Sequence, residues 1–156
     1  MSAITVHQAT IFDLVTLVAL FDRYRQFHGC TSDSLAAREF LRERLNHGES
    51  ALFIAYDEGV AVGFAQLYPS FSSLSLARTF VMNDLYVEEQ ARRKGAALRL
   101  MTAAVDYASA VGAEKISLSI AQSNDAGHAL YVSTGWELEE QSRSYYFMVP
   151  AVAEVD

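Results

Sequence analysis

Apolar positions recur along this chain in two rhythms. Leu14, Leu17, Val18 and Phe21 repeat at helical spacing. Thr10 and Asp13 stand just before them at the spacing of a capping box, which predicts a helix opening there. A second helix is expected to start at Asp33 or Ser34 and to stop at Gly48, with Leu41 and Leu45 turned inward. Val6, ahead of both, marks the end of a short first strand. The rhythm then becomes β-like: Ala51 to Tyr56 and Val60 to Tyr68 are strand-rich runs, parted by Asp57, Glu58 and Gly59 in the manner of a tight hairpin. Pro69 to Ser75 predict a loop, and Thr79 to Val87 the next strand.

The stretch from Asn83 to Met101, NDLYVEEQARRKGAALRLM, changes character most sharply. Leu85 to Val87 end the strand, Arg92, Arg93 and Lys94 form a cationic turn, and Gly95 marks a junction. Leu98, Met101 and Val105 then follow at i, i+3 and i+7, a helical face. A helix start carries N–H groups without intrahelical acceptors and the positive end of the dipole, so a basic glycine turn leading into one favours a bound anion. The helix should end near Gly112 as a glycine cap. Lys115 to Ile120 predict a strand, Asp125 to Ser133 a short helix with Asn124 as N-cap, and Trp136 to Leu138 with Ser144 to Val149 the last strands of the sheet. The order is that of a mixed α/β protein.

Composition narrows the field. A chain of 156 residues, 51% hydrophobic and 20% charged, is expected to form a single domain over 1–156 around one core. Net charge of −7 argues against sequence-independent nucleic-acid binding, which depends on lysine and arginine, while it tolerates a cationic amine. The N-terminal residues lack the basic start and apolar core of a signal peptide, and no apolar run reaches the roughly 18 residues of a membrane span. A cytoplasmic protein is the expectation. Cys30 is the sole cysteine, so no intrachain disulfide can form. His7, His28, His47 and His128 share no spacing that would build a metal site with it, and no metal is expected. The RRKGAA turn is not a nucleotide P-loop, which needs two glycines framing four residues and then Lys-Ser or Lys-Thr.

The spacing of Arg92, Gly95 and Ala97 directly after a strand resembles the acyl-CoA pyrophosphate loop, RxxGxA, of the GNAT N-acetyltransferases. A second segment, Asn124 to Trp136, resembles that superfamily's later motif: an asparagine, a tyrosine seven residues on, and a glycine-aromatic pair closing the helix. The two lie in the family's order, 29 residues apart from Gly95 to Asn124. The resemblance implies the GNAT fold, an α+β arrangement with a mixed, mostly antiparallel central sheet flanked by helices and a splayed strand before the loop. It also implies acetyl-CoA as co-substrate. Backbone groups of Leu85, Tyr86 and Val87 would hold the pantetheine arm. Arg92, Arg93, Lys94, Gly95, Ala96, Ala97 and Leu98 would hold the pyrophosphate. Asn124 would bond the arm, and Tyr131 would be the general acid for the departing thiolate. The seven-residue separation puts Asn124 and Tyr131 on nearly one helix face.

Proton removal is the harder demand. An alkylamine has a pKa of about 10.4, so reaching its neutral form at pH 7 costs about 4.6 kcal/mol. The run FVMNDLYV is similar to that of the diamine acetyltransferases and their small-amine relatives, which place a glutamate and an aspartate before the cofactor strand's aromatic pair. Asn83 stands at the glutamate position, with Asp84 retained. Asparagine has no useful basicity but can hold a water. Asp84, or a water between Asn83 and Asp84, is therefore the expected proton acceptor, beside an open alternative in which Asp84 binds a substrate ammonium or faces solvent. The acceptor expected is the primary amine of a small molecule, such as a polyamine or amino acid. A protein N-terminus or lysine, and a catalytically weak acyl-CoA sensor, stand as alternatives, and a homodimer formed through terminal strands is what relatives suggest.

Overall fold

The computed structural model describes residues 3–152. The chain divides into two compact units, Met1–Ser119 and Ile120–Asp156. The first holds a five-stranded sheet in the order β1 (Ile4–Gln8), β2 (Ala51–Asp57), β3 (Val60–Ser72), β4 (Ala77–Val87) and β5 (Ala113–Ser117). The first four strands pair antiparallel and β5 joins β4 in parallel, so the sheet is mixed. Between β1 and β2 come α1 (Leu14–Phe27) and α2 (Ser34–Asn46), and α3 (Ala96–Ala110) forms the crossover from β4 to β5.

Local chemistry accounts for these elements. Thr10 and Asp13 form a complete capping box ahead of α1, and the Asp33 side chain caps α2 by accepting from the Ala36 N–H. The buried Asp22 carboxylate accepts from the Ser32 hydroxyl at 2.6 Å and the Asp33 N–H at 2.8 Å, tying the end of α1 to the start of α2. Those donors hold its carboxyl below the usual range. Leu14, Leu17 and Phe21 of α1 and Leu41 of α2 pack with Leu52, Ile54 and Phe64 into a core on one face of the sheet, with Val18 and Leu45 at its margin. On the other face, Phe53 and Phe80 both meet Tyr107 of α3 at ring separations of 5.6 Å.

The β2–β3 hairpin closes through Glu58 and Gly59, both left-handed at φ 50° and 84°, the pattern of a two-residue turn that matches strand twist. Asp57 is the last residue of β2 rather than part of the loop.

Several sequence expectations need correction. Pro69 to Ser72 belong to β3 instead of a loop: Pro69 pairs opposite Phe80, while β2 ends its pairing with β3 at Leu67, so proline's missing N–H disturbs no central ladder. The strand after α3 lies at Ala113–Ser117, earlier than Lys115 to Ile120. The buried face of α3 is Ala96, Leu100, Met101, Ala104 and Ala108, whereas Leu98 and Val105 are 44% and 46% exposed. Alanines carry that face because a small side chain lets the helix lie close to the sheet, and the larger Leu98 and Val105 stand outside it.

The second unit contains α4 (Asp125–Ser133), capped at its start by Asn124 and closed by Gly135 at φ 98°. Among the described residues, Trp136 to Leu138 and Ser144 to Val149 form no strand, and the sheet's ladder goes no further than Ser117. Alternating apolar residues become a strand only where a neighbour satisfies their backbone groups.

Candidate active site

β4 is the strand on which the candidate residues gather. Opposite β3, Gln66 pairs with Asp84 and Leu67 with Met82, so Asn83 is left over as the extra residue of a β-bulge. Along β4, Phe80 points to the α3 side, and Met82 shares its orientation. Beyond the bulge the alternation is reversed: Asp84 meets Tyr24 of α1 and the Tyr86 ring packs on Tyr24 and Phe27. The bulge therefore delivers Asp84 to the α1 side of the sheet.

There Asp84 is only 5% exposed. Its Oδ1 accepts from the Tyr24 hydroxyl at 2.8 Å and from the Asn83 amide at 3.0 Å, and its Oδ2 accepts from the fully buried Gln66 amide at 2.8 Å. All three donors are neutral. Burial first, and the negative charge of Asp84 next, push the phenols of Tyr24 and Tyr68 up, Tyr68 to about 12. Both hydroxyls thus stay protonated at neutral pH.

Around Asp84 the strand's second edge is open. β5 pairs with β4 only from Arg78 to Val81, ending at Val81 opposite Ser117. From Met82 to Val87, which includes Leu85, Tyr86 and Val87, β4 has a ladder partner in β3 alone among the described residues. The expected splay is present, and it leaves backbone donors and acceptors that an extended ligand can engage as an added strand would.

The open edge runs into the cationic turn. Glu88, buried, accepts from Arg23 Nε and from the Tyr86 hydroxyl at 2.9 Å, while its own N–H donates to the Val62 carbonyl at 2.8 Å. This fixes where the turn departs. Arg92 Nε donates to the Val87 carbonyl at 3.0 Å, and its guanidinium lies 5.0 Å from the centre of the Phe27 ring. Lys94 forms an exposed ion pair with Asp57 at 3.4 Å. Arg93 is left-handed at φ 65° and Gly95 at φ 88°, and no atom lies within 4 Å of where a Gly95 Cβ would stand. Glycine is required there by backbone conformation, and the space beside it is open.

Gly95 caps α3 without a side-chain bond, unlike Asp33 on α2 and Asn124 on α4. The N–H groups of Ala96, Ala97 and Leu98 precede the first intrahelical bond, made by the Arg99 N–H to the Gly95 carbonyl. An anion at this helix start would find free donors and three nearby cations. A cavity of about 310 Å³ lined by Ser50, Arg78, Phe80, Tyr107 and Val111 lies near the opposite, C-terminal end of α3 and takes no part in this arrangement.

In the second unit, Asn124 Oδ1 accepts from the Gly127 N–H at 2.9 Å, which commits its oxygen to the helix and leaves its amide NH2 as the half a ligand can use. Tyr131 packs on Trp136 at 5.9 Å, and the Trp136 N–H returns to the Tyr131 carbonyl at 2.9 Å. Burial pushes the Tyr131 phenol up.

Sequence reasoning passed over Tyr24, Gln66 and Glu88. Gln66 did carry a signal, being an uncharged polar residue inside the apolar run from Val60 to Tyr68. Tyr24 continues the helical spacing of Leu17 and Phe21, which marks a core-facing position and carries no signal of a partner on another element.

The sequence profile of the acetyltransferase (GNAT) family matches residues 17–136. The chain is 40% identical over 146 residues to an "Uncharacterized N-acetyltransferase YhfO" of Bacillus subtilis (strain 168), covering 94% of this chain and 98% of that one. A crystal structure of a "probable acetyltransferase", 36% identical, superposes with a TM-score of 0.89 over 94% of this chain and 99% of the other. An aminoglycoside acetyltransferase from an uncultured soil metagenomic sample shares the fold at a TM-score of 0.82 and 22% identity, over 94% of this chain and 97% of its own. With its mixed sheet, its splayed fourth strand and its uncapped helix after a basic turn, the chain belongs to the GNAT family of acetyltransferases.

Proposed function

We propose that this enzyme transfers the acetyl group of acetyl-CoA to the primary amine of a small molecule, the amine attacking directly while both substrates are bound. The observation that carries the reading is the open edge of β4 running into the uncapped start of α3. Unpaired backbone groups followed by an anion site suit an amide-bearing arm that ends in a pyrophosphate. Leu85, Tyr86 and Val87 would hold the arm with Asn124, and Arg92 through Leu98 the pyrophosphate. Acetyl-CoA bound there supplies a thioester as acyl donor.

The remaining tasks fall to the chain. A backbone N–H of β4 polarises the acyl carbonyl. Asp84, or a water held between Asn83 and Asp84, takes the amine's proton, and Tyr131 returns one to the thiolate. Burial keeps the Tyr131 phenol in its proton-bearing form at neutral pH, the form a general acid requires. Residues 1–156 act as one functional domain in this reading.

Thiol release from acetyl-CoA, followed over a panel of polyamines, amino acids, peptides and an aminoglycoside, tests it. Turnover on small amines is expected. Turnover on peptides alone would make the enzyme a protein acetyltransferase, and tight cofactor binding with no turnover on any amine would make it a sensor. Full activity of Asp84→Asn from pH 6 to 9, with Tyr131→Phe inactive, would remove Asp84 as base.

A further inference from the structure

Asp84 reaches the α1 side of the sheet with a buried carboxylate and no cationic partner among its hydrogen-bond donors. An ionised carboxylate in that position is costly unless donors converge on it. Asn83 and Gln66 come from the bulge itself and from the paired strand, so the sheet supplies them automatically. Tyr24 is different. It comes from α1, separated from Asp84 by 60 residues of sequence, and its hydroxyl makes the one hydrogen bond linking that helix to the carboxylate. Its ring is held by Phe64 at 5.4 Å, Tyr86 at 5.8 Å and His28 at 4.8 Å, so the hydroxyl is aimed by packing on several sides.

We infer that Tyr24 is a positioning residue for acetyl transfer: its hydroxyl fixes the Asp84 carboxylate in one orientation and favours its ionised, proton-accepting form. The inference rests on the reading of Asp84 as proton acceptor. Tyr24 is no candidate for the base itself, because burial and the adjacent negative charge keep its phenol protonated and so a permanent donor. The other titratable groups around the pair are Tyr68 of β3, Arg44 of α2 beyond Tyr68, and His28 and Cys30 beside the Tyr24 ring. None of these bonds to Asp84. Glu88 and Arg23 are occupied with each other and with Tyr86.

Tyr24→Phe removes the oxygen and keeps the ring. On protein labelled with carboxyl-13C aspartate, with the Asp84 signal assigned by its loss in Asp84→Asn, the titration of that carboxyl should move to higher pH by about one unit in Tyr24→Phe, since a donor to the charged form is gone. In turnover, kcat should fall about tenfold with the KM for acetyl-CoA unchanged, and the acid limb of kcat/KM should move up with the carboxyl titration. An unshifted carboxyl titration in Tyr24→Phe overturns the inference even if thermal stability drops, and it decides the matter without any acceptor in hand. Impaired Asp84→Asn beside a wild-type Tyr24→Phe profile would sink the role of Tyr24 alone. Wild-type activity of Asp84→Asn would sink both.

Discussion

Gly63 and Tyr86 approach so closely across the β3–β4 pair that a Cβ on residue 63 would stand 2.6 Å from the Tyr86 carbonyl oxygen. The oxygen belongs to backbone and cannot swing aside. Gly63→Ala should therefore destabilise the protein by about 1–3 kcal/mol, seen as a lower urea midpoint at unchanged m-value. Because β4 must shift to make room, the KM for acetyl-CoA should rise as well. A variant matching wild type in both would show that the strands separate freely here.

The Arg92 side chain meets the Val87 carbonyl and the Phe27 ring, both beside the open edge of β4. Arg92→Ala is expected to raise the KM for acetyl-CoA roughly tenfold and leave the KM of the amine unchanged. Arg92→Lys should recover only part, since lysine restores charge but not the planar fork. Equal effects on both substrates would place Arg92 in general stability instead.

The two halves of the Asn124 amide can be separated by mutation. Asn124→Ala should cost about 1 kcal/mol through loss of the α4 cap. Asn124→Asp keeps an oxygen for the Gly127 N–H and loses the NH2, so it should restore stability without restoring affinity for acetyl-CoA. Isothermal titration of acetyl-CoA against both variants reads the difference, and full recovery of affinity in Asn124→Asp would confine Asn124 to capping.

Tyr68 sets an alkaline limit on stability. Its phenol rises from an ordinary value of 10.0 to about 12 in the fold, through burial and then the charge of Asp84. Between those values the folded state holds a proton that the unfolded chain has released. The stabilisation is complete below about pH 10 and drains away as pH climbs through about 12. Urea unfolding across that window should show a shallower loss of stability in Tyr68→Phe than in wild type. Equal slopes would exclude Tyr68 as the source.

What could be read in the sequence and what could not divide along a physical line. The capping box at Thr10, the Asp33 and Asn124 caps, the Asp57–Gly59 hairpin signal and the glycine junction at residue 95 are local devices, each written in a few consecutive residues. All were legible. The extension of β3 through Pro69 depended on where β2 stops, and the inward face of α3 depended on how closely its alanines approach the sheet. Both are settled between elements far apart in the chain. The surroundings of Asp84 follow the same rule: Asn83 was visible beside it, whereas Tyr24 and Gln66 become neighbours only once α1 and β3 are folded against β4.

The unpaired Asn83 also acts as a parity switch. Before it, even-numbered residues of β4 such as Phe80 and Met82 belong to the layer under α3; after it, even-numbered Asp84 and Tyr86 belong to the layer under α1. One strand can thus serve an oily layer and an ionic one with the same alternation. Were residue 83 instead drawn into the ladder opposite Gln66, the two storeys would exchange occupants from there on, driving a carboxylate into the aromatic floor beneath α3. What keeps the carboxylate on its own storey is the bulge that leaves residue 83 out of the ladder.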